Sequence, residues 1–80
     1  SIAGTEVGLR FRLTQSGEVK ISFRSNGPVD VNVLARRFRG GGHVKAAGAI
    51  VAGPIDRAID EVIGATREAV ARVRAAEGVA

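Results

Sequence analysis

Cysteine is absent from the 80 residues and histidine occurs once. Without Cys no disulfide can staple the fold, no thiolate can hold zinc and no cysteine nucleophile exists, while a lone His excludes a multi-His metal centre. A cytoplasmic setting is the expectation. No apolar run approaches the ~20 residues that cross a bilayer, and the start lacks a signal peptide's charge, apolar stretch and small-residue cleavage site. Membrane insertion is not expected. An initiator Met is lacking too, and Ser1 reads as the approach to a strand, so the sequence is expected to be a piece of something longer.

What is present suits a single small domain over residues 1–80. A chain of this length buries only roughly 60–65% of its unfolded surface, but 45% hydrophobic and 25% charged residues are close to a globular average. It should fold unaided. The net charge of +4 is unevenly spread. Residues 1–45 hold eight basic side chains (Arg10, Arg12, Lys20, Arg24, Arg36, Arg37, Arg39, Lys45) against Glu6, Glu18 and Asp30, a net +5, whereas four basic against five acidic residues leave the remainder at −1. Such a surplus favours phosphate-bearing partners. Arg outnumbers Lys ten to two, which suits forked phosphate contacts and equally suits the composition of a GC-rich genome.

Period-2 alternation predicts two strands. Over 6–13, Val7, Leu9, Phe11 and Leu13 take one face, opposite Gly8, Arg10 and Arg12; over 18–24, Val19, Ile21 and Phe23 oppose Lys20, Ser22 and Arg24. Gln15-Ser16-Gly17 joins them as an antiparallel hairpin. Beyond the break at Ser25-Asn26-Gly27-Pro28, Asp30 is a helix cap, with Val31, Leu34, Ala35 and Phe38 forming the apolar stripe of a short helix. Phe38 could be a stacking platform for a base, but its place on that stripe assigns it to the core. Gly40-Gly41-Gly42 is expected to end the helix, and Ala46–Ala52 to form a buried strand. Pro54 is read as the first position of a long helix, striped by Ile55, Ala58, Ile59, Val62, Ile63, Thr66, Ala69, Val70 and Val73, with Gly64 a weak point. The fold class is α+β: a small sheet, made of the N-terminal hairpin and a later strand, covered on one face by a short and a long helix.

Gly40-Gly41-Gly42-His43 is the most informative stretch of the sequence. One glycine suffices to cap a helix, and three add a backbone entropy cost. Glycines let a main chain approach a ligand and present successive N–H groups to an anion, and the adjacent imidazole can donate to a phosphate oxygen. A flexible helix-to-strand loop is the plainer reading. Neither the Walker A pattern nor G-x-G-x-x-G is matched.

Gly40-Gly41-Gly42-His43-Val44-Lys45-Ala46-Ala47-Gly48 resembles the G-G-G-H-x-x-A-A-G signature of the C-terminal DHH-associated substrate-binding domain, first subtype, of the DHH phosphoesterases. Ile21-Ser22-Phe23-Arg24-Ser25 resembles that family's S-x-R-S strand end, and Val29-Asp30-Val31-Asn32-Val33-Leu34-Ala35 its V-D-V-N-x-x-A helix start, in order and at the right spacing. The resemblance covers nearly the whole chain and points to the branch holding nanoRNases/pAp phosphatases and cyclic-di-AMP phosphodiesterases. It implies that Gly40, Gly41, Gly42 and His43 receive the substrate's phosphate and sugar, and that Arg24 with Ser25 grips phosphate or base across the cleft. Asn32 falls on a motif position; an Asx-type bond bracing the helix start is its structural alternative. Lys45 falls on a variable position.

The family's hydrolysis uses a pair of divalent metals, usually manganese, held by Asp and His clusters that this sequence lacks. The resemblance therefore implies a substrate-binding fragment that hydrolyses nothing alone. Its partners would be nucleotides or short RNA and an N-terminal DHH catalytic domain, in a parent able to form a homodimer. A stand-alone basic RNA-binding module is the competing reading, and a dimerisation domain built on the long helix is a third.

Overall fold

The structure is a computed structural model that describes residues 6–78; the expected strand approach at Ser1 lies outside them. Alternation at 7–13 and 18–25 produces β1 (Val7–Leu13) and β2 (Glu18–Ser25), joined by a turn in which Thr14 N–H donates to the Glu18 carbonyl at 2.8 Å. Their antiparallel register sets Leu9 opposite Phe23 and Phe11 opposite Ile21. The apolar residues therefore share one face. The helix α1 (Val31–Arg36) starts where Asp30 Oδ1 accepts the Val33 N–H at 3.1 Å. Residues 41–43 form a short strand, β3 (Gly41–His43), and β4 (Ala46–Ala52) follows before the long helix α2 (Ile55–Ala76). Pro54 stands at the N-cap of α2, one position before the expected site.

The four strands form one antiparallel sheet in the order β1-β2-β4-β3. Val19, Ile21 and Phe23 of β2 are fully buried beneath Val31, Leu34 and Ala35 of α1 and Ala58, Val62 and Ala65 of α2. Both helices thus cover one face, as expected, and apolar burial at 25 cal/mol per Å² is the principal force holding them there. Phe38 packs against this core, its ring stacked on Phe23 at a centroid distance of 6.5 Å. Alternation leaves the opposite sheet face to Gly8, Arg10, Arg12, Lys20, Ser22 and Arg24, with no helix over it among the described residues.

Two features depart from expectation. The glycine run is not a loop, since Gly41–His43 pair with Ala46–Gly48 as the edge of the sheet. Nor do the glycines end α1. Arg39 does so, at a φ of 64°: its N–H donates to the Arg36 carbonyl at 3.1 Å, and the Gly40 N–H to the Ala35 carbonyl at 3.0 Å. This pair of bonds is the Schellman arrangement, with Arg in the left-handed position usually held by glycine.

Candidate functional site

Register arithmetic brings the separate motifs together on the open sheet face. Residues directly opposite one another in an antiparallel ladder point to the same side. Gly8 pairs with Arg24, Arg24 with Ala46 and Ala46 with His43, so these four form one row across all four strands. Arg24 and His43 flank β4 from either side, two strand spacings or about 9–10 Å apart. The next row is Arg10, Ser22, Gly48 and Gly41. A floor of glycine, alanine and serine is thereby bordered by Arg24, Arg10 and His43.

Two shallow depressions meet on the Arg24 side of this floor, and His43 lines neither. One, of about 690 Å³, is bordered by Glu6, Gly8, Arg24, Asn26, Lys45 and Ala46; the other, of about 440 Å³, by Gly8, Leu9, Arg10, Ser22 and Arg24. Gly8 and Arg24 belong to both. Arg24 and His43 are exposed, and neither has a side-chain hydrogen bond or ion pair among the described residues. Arg24 therefore offers its forked donors, and His43 its ring nitrogens, to an external acceptor.

Backbone packing accounts for most of the glycine run. A Cβ on Gly40 would lie 2.0 Å from the Gly48 carbonyl oxygen and 2.7 Å from Ala49 Cβ. One on Gly42 would lie 2.7 Å from both the Ala46 carbonyl oxygen and Ala47 Cα. Both are closer than a carbon can approach, so these glycines let β3 and the turn before it press onto β4. Their N–H groups are also committed, Gly40 to Ala35 and Gly42 to Asn32 Oδ1 at 3.0 Å. The run is thus not a nest of successive free donors.

Asn32 braces β3, ten residues away, rather than the start of its own helix. Ser25 continues β2 and so faces away from Arg24: it is 8% exposed, its Oγ donates to the Gly27 carbonyl at 3.2 Å, and the same Oγ accepts the Gly27 N–H at 3.3 Å. It borders the larger depression with its hydroxyl already engaged. Lys45 acts on structure, its Nζ donating to the Gly27 carbonyl. Around it the β3–β4 turn is bolted down twice more, by Ser25 N–H to the Lys45 carbonyl at 3.0 Å and Val31 N–H to the Val44 carbonyl at 2.9 Å. Among the basic residues ending α1, Arg37 pairs with Glu68 of α2 at 3.1 Å.

Gly8 and Arg10 lie outside the motifs of the sequence, and Ser22, the first serine of the S-x-R-S match, carries no assigned role there. The signal was nonetheless there, because the hairpin alternation already put them on the polar face with Arg24. Among the described residues no three His, Asp or Glu side chains converge as a metal site. The residues present do not fit a divalent pair, and no hydrolytic step is assigned to them.

Comparison with known proteins matches residues 1–72 to the model of the DHHA1 domain. Over 72 residues, 89% of this chain, the sequence is 40% identical to the bifunctional oligoribonuclease and PAP phosphatase NrnA of Thermus thermophilus, covering 22% of that protein. It is 44% identical over 41 residues, 51% of this chain, to the protein of the same description from Bacillus subtilis, covering 13% of it. The chain spans less than a quarter of the length of these curated relatives. With the family model matched along nearly its whole length and the glycine-histidine strand standing where the sheet face opens, the chain belongs to the DHHA1 domain family.

Proposed function

We propose that this chain is the substrate-binding part of a DHH phosphoesterase acting on short oligoribonucleotides or pAp, and that it holds the terminal nucleotide on the open sheet face. The carrying observation is the single row that joins Arg24 to His43 over a floor without bulky side chains. Arg24 takes a phosphate in its planar fork, and His43 donates to a phosphate or sugar oxygen. The flat floor of Gly8, Ser22, Ala46, Gly48 and Gly41 lets a planar base or ribose lie close to the main chain. Asn32 and Ser25 serve indirectly, Asn32 by holding β3 and Ser25 by fixing the turn after β2.

Chemistry would come from a catalytic domain outside this chain, carrying the divalent metal pair, manganese by the family resemblance. The names of the Thermus and Bacillus relatives support oligoribonuclease and PAP phosphatase activity for the parent. Cyclic dinucleotides are a further substrate class suggested by the resemblance alone.

NMR titration with pAp tests the reading. Amides of Arg24, Gly41 and His43 should move together, and Arg24→Ala should abolish the shifts. Perturbation confined to Arg36, Arg37 and Arg39 would reject it in favour of a basic RNA-binding module centred on the end of α1.

A further inference from the structure

The open face continues past the Arg24–His43 row. Arg10 stands in the second row beside Ser22, and the third row is Arg12, Lys20 and Ile50. Same-face residues along a strand are about 6.6–6.8 Å apart. Positive charge therefore recurs at each row, from Arg24 on β2 to Arg10 on β1, then to the pair Arg12 and Lys20. Among the described residues none of these four has a side-chain hydrogen bond or an ion pair. Acidic side chains on this face stand at its two ends, where Glu6 accepts from Asn26 and Glu18 accepts from Ser16.

Arg12 and Lys20 are directly opposite each other in the ladder. Like charges so placed repel and weaken a sheet. Charged residues also guard exposed edges against unwanted pairing, which would account for Arg10 and Arg12 on edge strand β1. It does not account for Lys20, on interior strand β2, paired on both sides. Next to Lys20, Ile50 is 55% exposed, an apolar surface set into a basic strip.

We infer that Arg10, Arg12 and Lys20 carry the phosphates of nucleotides beyond the one at Arg24 and His43, with Ile50 supporting a base or sugar. The chain then binds a short single strand of RNA of about three nucleotides, one per row, rather than a terminal nucleotide alone. This rests on the proposed substrate-binding function.

The test uses the 80-residue chain and 5′-phosphorylated adenylates of one to five nucleotides, titrated in 50 and 200 mM salt. Affinity should rise to about three nucleotides and then level off. Arg12→Ala/Lys20→Ala should remove the gain from two to three nucleotides and leave mononucleotide and dinucleotide affinity unchanged. Each phosphate neutralised on a single strand adds about 0.7 to the log–log salt slope. The one phosphate held by the third row makes the native chain's trimer binding fall roughly 2.6-fold more than the variant's between those salts. Length-independent affinity in the native chain, or a gain from two to three nucleotides retained by the variant, would overturn the inference. So would retention on phosphatidylglycerol vesicles without a length gain on RNA. A mononucleotide that binds without length gain sinks this inference alone, whereas no mononucleotide binding and no response to Arg24→Ala sinks the function on which it rests.

Discussion

Asn32 Oδ1 accepts the N–H of Gly42 at 3.0 Å, tying the first turn of α1 to the middle of β3. Gly42 is exposed, so loss of this bond is partly made good by water, and Asn32→Ala should cost about 0.5–1.5 kcal/mol. Amide exchange at Gly42 should accelerate. Asn32→Asp keeps the acceptor and should preserve the protection; equal exchange in all three proteins would show that the bond does not hold the strand.

Gly40 and Gly41 should differ sharply. The Cβ of Gly40→Ala meets backbone and Cβ atoms at 2.0–2.8 Å, none of them the end of a flexible side chain. Overpacking of this kind costs about 1–3 kcal/mol, with this variant at the upper end. Gly41→Ala meets only Asn32 Oδ1, at 3.3 Å, and should cost less than about 1 kcal/mol. Denaturant midpoints of the two variants provide the comparison, and equal midpoints would contradict the packing account.

Gly64 lies inside α2, exposed, and a Cβ there meets nothing within 4 Å. Replacing glycine by alanine in an exposed helix interior gains about 1 kcal/mol. For a domain of this size, Gly64→Ala should raise the melting temperature by roughly 4–8 °C.

Arg39 holds a left-handed backbone at φ 64°, a conformation that costs side-chain-bearing residues about 1–2 kcal/mol. Glycine adopts it freely but loses more entropy on folding. Arg39→Gly should therefore stabilise by about 0.5–1 kcal/mol in thermal melts, with pAp affinity unchanged.

Folding and recognition should separate at His43. Its side chain is exposed and touches no other described side chain through a hydrogen bond, so His43→Ala should leave stability within about 0.5 kcal/mol. Loss of a hydrogen bond to a charged phosphate is worth about 1.5–3 kcal/mol, so pAp affinity should fall at least tenfold by calorimetry.

Much of this architecture is legible in the sequence. The alternation of Val7 to Leu13 and Glu18 to Arg24 determined the hairpin and its faces, and Asp30 marked the start of α1. Strand β3 was hidden because glycines carry no hydrophobic period and advertise turns; its pairing follows from backbone approach to β4, a tertiary effect. The role of Arg39 was hidden likewise, since neighbouring glycines were the obvious helix terminators. Asn32 looked local because its partner lies on an unrecognised strand. Arg24 and Ser25 are adjacent in one motif, and extension of β2 through Ser25 puts their side chains on opposite faces.

Strand β2 is shared between two tasks. Odd positions Val19, Ile21, Phe23 and Ser25 are buried, while Lys20, Ser22 and Arg24 belong to the open sheet face. Substitutions at even positions can therefore change the chemistry of the open face without taxing the fold, whereas those at odd positions disturb packing. A single-residue insertion within the strand would exchange the two sets. Point changes in β2 can alter the open face while the core stays packed, and a change in its length cannot.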